Sequence, residues 1–142
     1  MKSSARNQWT GKVVSVHLGA VTAEILVSLS GGSEVVASIT VGSAKRLALE
    51  NGKDVLVLVK APMVILALDF EGYAISARNQ LSGQIKEIKS GPVTADVTLR
   101  LSGGDSVTAS ITRESCQTLG LTVGKSAIAL FKSGSVVLAT RT

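Results

Sequence analysis

The chain is written twice. Residues Ser4–Leu68 align with Ser76–Thr140 at a constant offset, without a gap, and 29 of the 65 aligned pairs are identical. Ser-Ala-Arg-Asn-Gln stands at Ser4–Gln8 and again at Ser76–Gln80. Gly-Ala-Val-Thr-Ala-Glu returns as Gly-Pro-Val-Thr-Ala-Asp, and Ala-Ser-Ile-Thr-Val-Gly-Ser as Ala-Ser-Ile-Thr-Arg-Glu-Ser. Identity this dense at a fixed period means one structural unit used twice, so any fold must satisfy the same local rules in both halves. The reading is two domains, 1–70 and 73–142, with a short linker around Asp69–Tyr73.

Each copy reads as β-structure. Thr94 to Ser102 alternates polar and apolar residues, the period-2 signature of a half-buried strand. Gly103-Gly104, like Gly31-Gly32, then predicts a tight hairpin turn using positive φ. A return strand follows at Val107–Thr112, matching Val35–Thr40. A short helix comes next, capped by Thr112 and ended by Gly120. Strands at Ala127–Lys132 and Val136–Ala139 close the copy, and a long strand from Gln80 opens it. Five strands and one short helix per copy predict an all-β protein (mainly) of two tandem OB-like five-stranded barrels. Val55–Val59 and Val64–Leu68 are apolar on both faces, so each needs cover on both sides. A 70-residue barrel has one interior, and the second face is therefore expected against the sister domain or another chain. A homo-oligomer follows as an expectation.

Composition removes several function classes. No stretch nears the roughly 18 apolar residues of a membrane helix, and the opening MKSSARNQ lacks the apolar segment of a secretory leader. Cys116 is the only cysteine, so no internal disulfide can form and a cytoplasmic location is expected. The net charge is +5 without any extended run of Lys and Arg, which argues against a polybasic nucleic-acid or membrane patch.

Catalysis is not expected. His17 is the only histidine and Lys89 replaces it in the second copy; Cys116 replaces Ala44 and reads as a small buried filler. Glu24 and Asp96 hold equivalent places on an outward strand face, each alone within its copy, and no paired-acid or metal cluster is visible. What recurs is a set of donors: Ser4/Ser76, Arg6/Arg78, Asn7/Asn79, Thr40/Thr112, Ser43/Ser115 and Lys60/Lys132. A guanidinium, an ammonium, hydroxyls and an amide with no acid among them suit a small, doubly charged oxyanion, whose oxygens accept from every direction. For any one residue the plainer reading is an arginine tied to a carboxylate or a solvated lysine; six recurring together favour the anion.

These residues resemble a known pattern. The run SARNxxxG, GxVTAE/D, SITxxS and a closing VKAP or FKSG is similar to the Mop (TOBE) domain, and two copies resemble the di-domain molbindins. That resemblance implies an OB-like fold in a homotrimer that binds, stores and buffers molybdate, and tungstate, between domains or subunits. By position it implies one site class from Ser4, Ala5, Arg6, Thr40, Ser43, Lys60 and Ala61, and its counterpart from Ser76, Ala77, Arg78, Thr112, Ser115, Lys132 and Ser133. A second class would lie along Gly19, Val21 and Thr22, and Gly91, Val93 and Thr94, largely through backbone groups. No catalytic cofactor is implied. Two other readings stand beside it. An OB-type nucleic-acid binder would stack bases on aromatics, but Trp9 aligns with Leu81 and no aromatic recurs, so no nucleic-acid partner is expected. A regulatory trimer would use the oxyanion only as a structural ligand.

Overall fold

The protein, described by a computed structural model of residues 1–142, is built from strands with two short helices. In chain order these are β1 (Asn7–Leu18), β2 (Thr22–Leu29), β3 (Glu34–Thr40), α1 (Val41–Arg46), β4 (Asp54–Val59) and β5 (Ile65–Ala67). The second copy gives β6 (Asn79–Ser90), β7 (Thr94–Leu101), β8 (Ser106–Thr112), α2 (Arg113–Thr118), β9 (Ser126–Phe131) and β10 (Val137–Ala139). Single 3-10 turns, Ala61–Met63 and Ser133–Ser135, precede β5 and β10.

Local sequence explains the elements. Along β2 the side chains alternate between exposed and buried, with Ala23, Ile25, Val27 and Leu29 inward. Both helices start at the expected caps: the Thr40 and Thr112 hydroxyls accept from the Ser43 and Ser115 amides at 3.0 Å. In each hairpin only the second glycine takes positive φ, +97° at both Gly32 and Gly104. The first glycine answers a different demand. The two hairpin tips meet, and a Cβ on Gly103 would overlap the Gly31 carbonyl. The register shifts at the same place in both long strands, between Val13 and Ser15 and between Ile85 and Glu87. Such bulges bend a strand and sharpen its twist, which lets one strand serve two neighbours in a curled sheet.

The expectation that each copy closes its own sheet is corrected by the pairing. One five-stranded sheet runs β10-β4-β1-β2-β3 and the other β5-β9-β6-β7-β8, so the closing strands are exchanged. Val137–Ala139 of the second copy pairs with Leu58–Leu56, and Ile65–Ala67 of the first pairs with Leu130–Ile128. In β4, which β10 flanks along one edge, Val57, Leu58 and Val59 are all buried. β5 is shorter than the apolar run suggested. Its Leu66 is buried while Ile65 stays 61% exposed. One continuous apolar cluster draws on both copies, with Trp9 stacked on Phe131 at 6.0 Å between ring centroids.

Candidate functional site

Strand register assembles the first lip of the site. Asn7 is opposite Val59, so Arg6, one residue earlier, comes beside Lys60, one residue later; Asn79 opposite Phe131 does the same for Arg78 and Lys132. The pentapeptide before each strand is held in shape by its own glutamine. The amide Nε2 of Gln8 donates to the Ala5 carbonyl at 3.2 Å, and that of Gln80 to the Ala77 carbonyl at 3.0 Å.

In the second copy these parts form an open cavity of about 380 Å³ lined by Ser76, Arg78, Lys132, Ser133, Gly134 and Ser135. Two cations, three hydroxyls and a glycine backbone line it, with no acid and no apolar side chain. Ser76, Arg78, Lys132 and Ser133 were expected from the sequence; Gly134 and Ser135 were not. The equivalent turn of the first copy is Ala61-Pro62-Met63, which offers neither hydroxyl and lacks the amide proton at its proline. A larger hollow of about 1200 Å³ near the chain ends contains none of the expected residues, and its Lys12 is already paired with Asp54 at 2.6 Å.

Thr40 and Ser43 lie outside that cavity, as do Thr112 and Ser115. Within each pair the hydroxyls bond each other, at 2.9 Å and 2.8 Å. They group instead with the second class of expected residues. Thr22 is opposite Thr40, the Val41 amide donates to the Val21 carbonyl at 3.0 Å, and the Gly19 amide donates to the Thr22 carbonyl at 2.8 Å. Thr94, Val93 and Gly91 repeat this beside Thr112. Within each copy, therefore, the Thr and Ser of the first expected class lie with the second class and apart from the Arg–Lys lip.

The arginines span the gap, and they do so between copies. Arg78 reaches Glu24 on β2 at 2.6 Å, and Arg6 reaches Asp96 on β7 at 3.1 Å. The acids that stand alone within a copy are thus partnered by the other copy, and the donor set is not free of carboxylates. Hydrogen bonding to Arg78 holds the Glu24 carboxyl below its ordinary value, with a smaller contribution from the charge of His17, and Glu24 raises Arg78 in turn. Glu24 lies two positions from Thr22 on the same face of β2, about 7 Å along the strand. The Arg78 lip of one copy is therefore beside the Thr40 group of the other.

Asn7 and Asn79 do not belong to the anion set. Asn7 Nδ2 donates to the Thr108 carbonyl at 2.8 Å, and its Oδ1 accepts from the Thr108 amide at 2.7 Å. Asn79 makes the same pair of bonds with Val36, both at 2.8 Å. Each asparagine is buried and replaces one residue of strand pairing at the edge of the other copy. The matched charge of Glu24 and Asp96 at repeat-equivalent positions was the available signal for the arginine ties. Nothing local marked the asparagines.

Comparison with known proteins supplies the rest. The TOBE domain family matches residues 3–66 and again 75–138. The molybdenum transport protein ModE of Azotobacter vinelandii is 45% identical over 139 residues, covering 98% of this chain and 51% of that protein. The molybdenum-pterin-binding protein MopB of Rhodobacter capsulatus is 40% identical over 139 residues, covering 98% and 52%. The chain thus spans about half the length of the curated relatives it matches. Among solved structures, the cytoplasmic molybdate-binding protein ModG, crystallised with molybdate bound, superposes with a TM-score of 0.97. It is 45% identical, over 99% of this chain and all of that one.

Proposed function

The chain belongs to the TOBE-domain family, as two tandem copies, and from that premise we propose that it binds molybdate as a cargo oxyanion. The observation that carries this reading is the cavity in which Ser76, Arg78, Lys132 and Ser133 converge with no acid in its lining, Glu24 of the other copy being paired to Arg78 beside it. A tetrahedral dianion there meets two cations and donors on several sides, which offsets the loss of its water shell. The first copy offers the corresponding lip through Ser4, Ala5, Arg6, Lys60 and Ala61. Thr40, Ser43, Thr112 and Ser115 would complete such sites from the neighbouring copy or subunit, and the turns at Gly19–Thr22 and Gly91–Thr94 would form the second class.

Storage and buffering extend the same reading, because duplication doubles the number of lips per chain and release follows mass action. The units of duplication, 1–70 and 73–142, serve as the site-bearing repeats. Assembly of further copies into a trimer, which the family resemblance implies, would bring more such lips together. The kinship with ModG supports a cytoplasmic location, and tungstate, of the same shape and charge, would share the sites.

Calorimetric titration with molybdate, tungstate, sulfate and phosphate tests this, on wild type and on the Arg6→Ala/Arg78→Ala variant. Molybdate should bind more tightly than sulfate, and the double substitution should weaken it by at least about tenfold, the effect of losing a charge-assisted bond. No preference for molybdate, or a double variant that binds like wild type, would refute the proposal.

A further inference from the structure

Both arginines of the repeated pentapeptide are engaged by an acid from the opposite copy. Arg78 Nη2 forms an ion pair with Glu24 Oε1 at 2.6 Å, and Arg6 Nη1 donates to Asp96 Oδ2 at 3.1 Å. Glu24 and Asp96 are themselves repeat-equivalent, so the same arrangement occurs twice in one molecule under two different local sequences. On their own sheets Glu24 is opposite His17 and Asp96 opposite Lys89, whose ammonium turns instead to Glu87 at 3.3 Å.

We propose that Glu24 and Asp96 are positioning residues for the oxyanion sites, each holding from the opposite copy the arginine that contacts the anion. The inference rests on the molybdate reading of the cavity. Arg78 lines the cavity and Glu24 does not, and Glu24 engages the guanidinium at Nη2. A guanidinium presents five N–H donors in a planar fork, and one occupied Nη leaves the others for an oxyanion. Both members of each pair are partly exposed, with the Arg78 and Glu24 side chains at 54% and 47%, where water and salt screen repulsion between the acid and the incoming dianion. A flexible arginine that is ordered before binding loses less freedom when the anion arrives.

Molybdate titration of the intact chain decides the matter. Glu24→Gln should weaken the Arg78-dependent site about 3- to 10-fold, the effect of releasing one rotamer-rich side chain. Glu24→Asp, which installs the acid that the other copy uses at this place, should restore affinity to within about twofold of wild type on the same grounds. Added to Arg78→Ala, Glu24→Gln should change nothing further, since the acid acts only through the arginine. Asp96→Asn should weaken the Arg6-dependent site in the same way. If Glu24→Gln binds as well as wild type, or more tightly, while Arg78→Ala loses the site, the positioning role is overturned and the molybdate reading survives. If Arg78→Ala itself binds like wild type, the cavity reading falls and this inference falls with it.

Discussion

Within Ser-Ala-Arg-Asn-Gln, each long side chain has a different destination. Gln8 and Gln80 fold back onto their own pentapeptides, Arg6 and Arg78 reach carboxylates across the molecule, and Asn7 and Asn79 clamp a strand edge of the other copy. The asparagines are the most consequential for stability, because each satisfies a backbone amide and a backbone carbonyl in a buried place. Asn7→Ala would strand both groups of Thr108, at a cost of about 2–4 kcal/mol. The shift of the urea midpoint against wild type measures this. Asn7→Asp should be at least as damaging, since it loses the donor and buries a charge. Sequence named these residues but grouped the asparagines with the anion donors. Their partners lie 101 and 43 positions away, and no local pattern carries such a distance.

At the scale of elements, strands, hairpins and helix caps were legible because each is governed by neighbours within a few residues. Period-2 alternation marked β2 and β7, Thr40 and Thr112 marked the helix starts, and paired glycines marked the hairpins. The exchange of β5 and β10 was not. Ile65-Leu66-Ala67 and Val137-Leu138-Ala139 are near copies that present the same backbone edge, so either can pair with β4 or β9 by pattern alone. The exchange makes a sharp prediction for a chain ending before Val136. Hydrogen exchange should accelerate in β4, in the first copy, and leave β9 of the second copy protected by β5. Faster exchange in β9 with β4 unchanged would mean that each copy closes its own sheet.

The whole molecule shares one apolar core although the sequence is two copies. Trp9 packs on Phe131, its indole N–H donates to the Ser106 carbonyl at 2.8 Å, and the apolar cluster runs through both sheets. Neither sheet is complete without a strand from the other copy. Thermal unfolding followed by calorimetry should therefore show a single transition for the chain, with calorimetric and van't Hoff enthalpies equal when measured per cooperative unit. Two resolved transitions would show that the copies melt independently.

Sequence alone determined that there are two copies, that each is β-rich with one capped helical turn, and that Arg, Lys, Ser and Thr donors recur in both. Those properties depend on residue type and on spacing of a few positions, which repeat faithfully because the segment does. Tertiary structure alone decided which strand closes which sheet, which copy's acid holds which arginine, and that the donors fall into two groups in each copy. Those choices arise because duplicated edges and duplicated charges make self-pairing and cross-pairing equivalent in pattern. Only packing of the two curled sheets on a shared core lifts that degeneracy, and it sets each repeated arginine against an acid of the opposite copy.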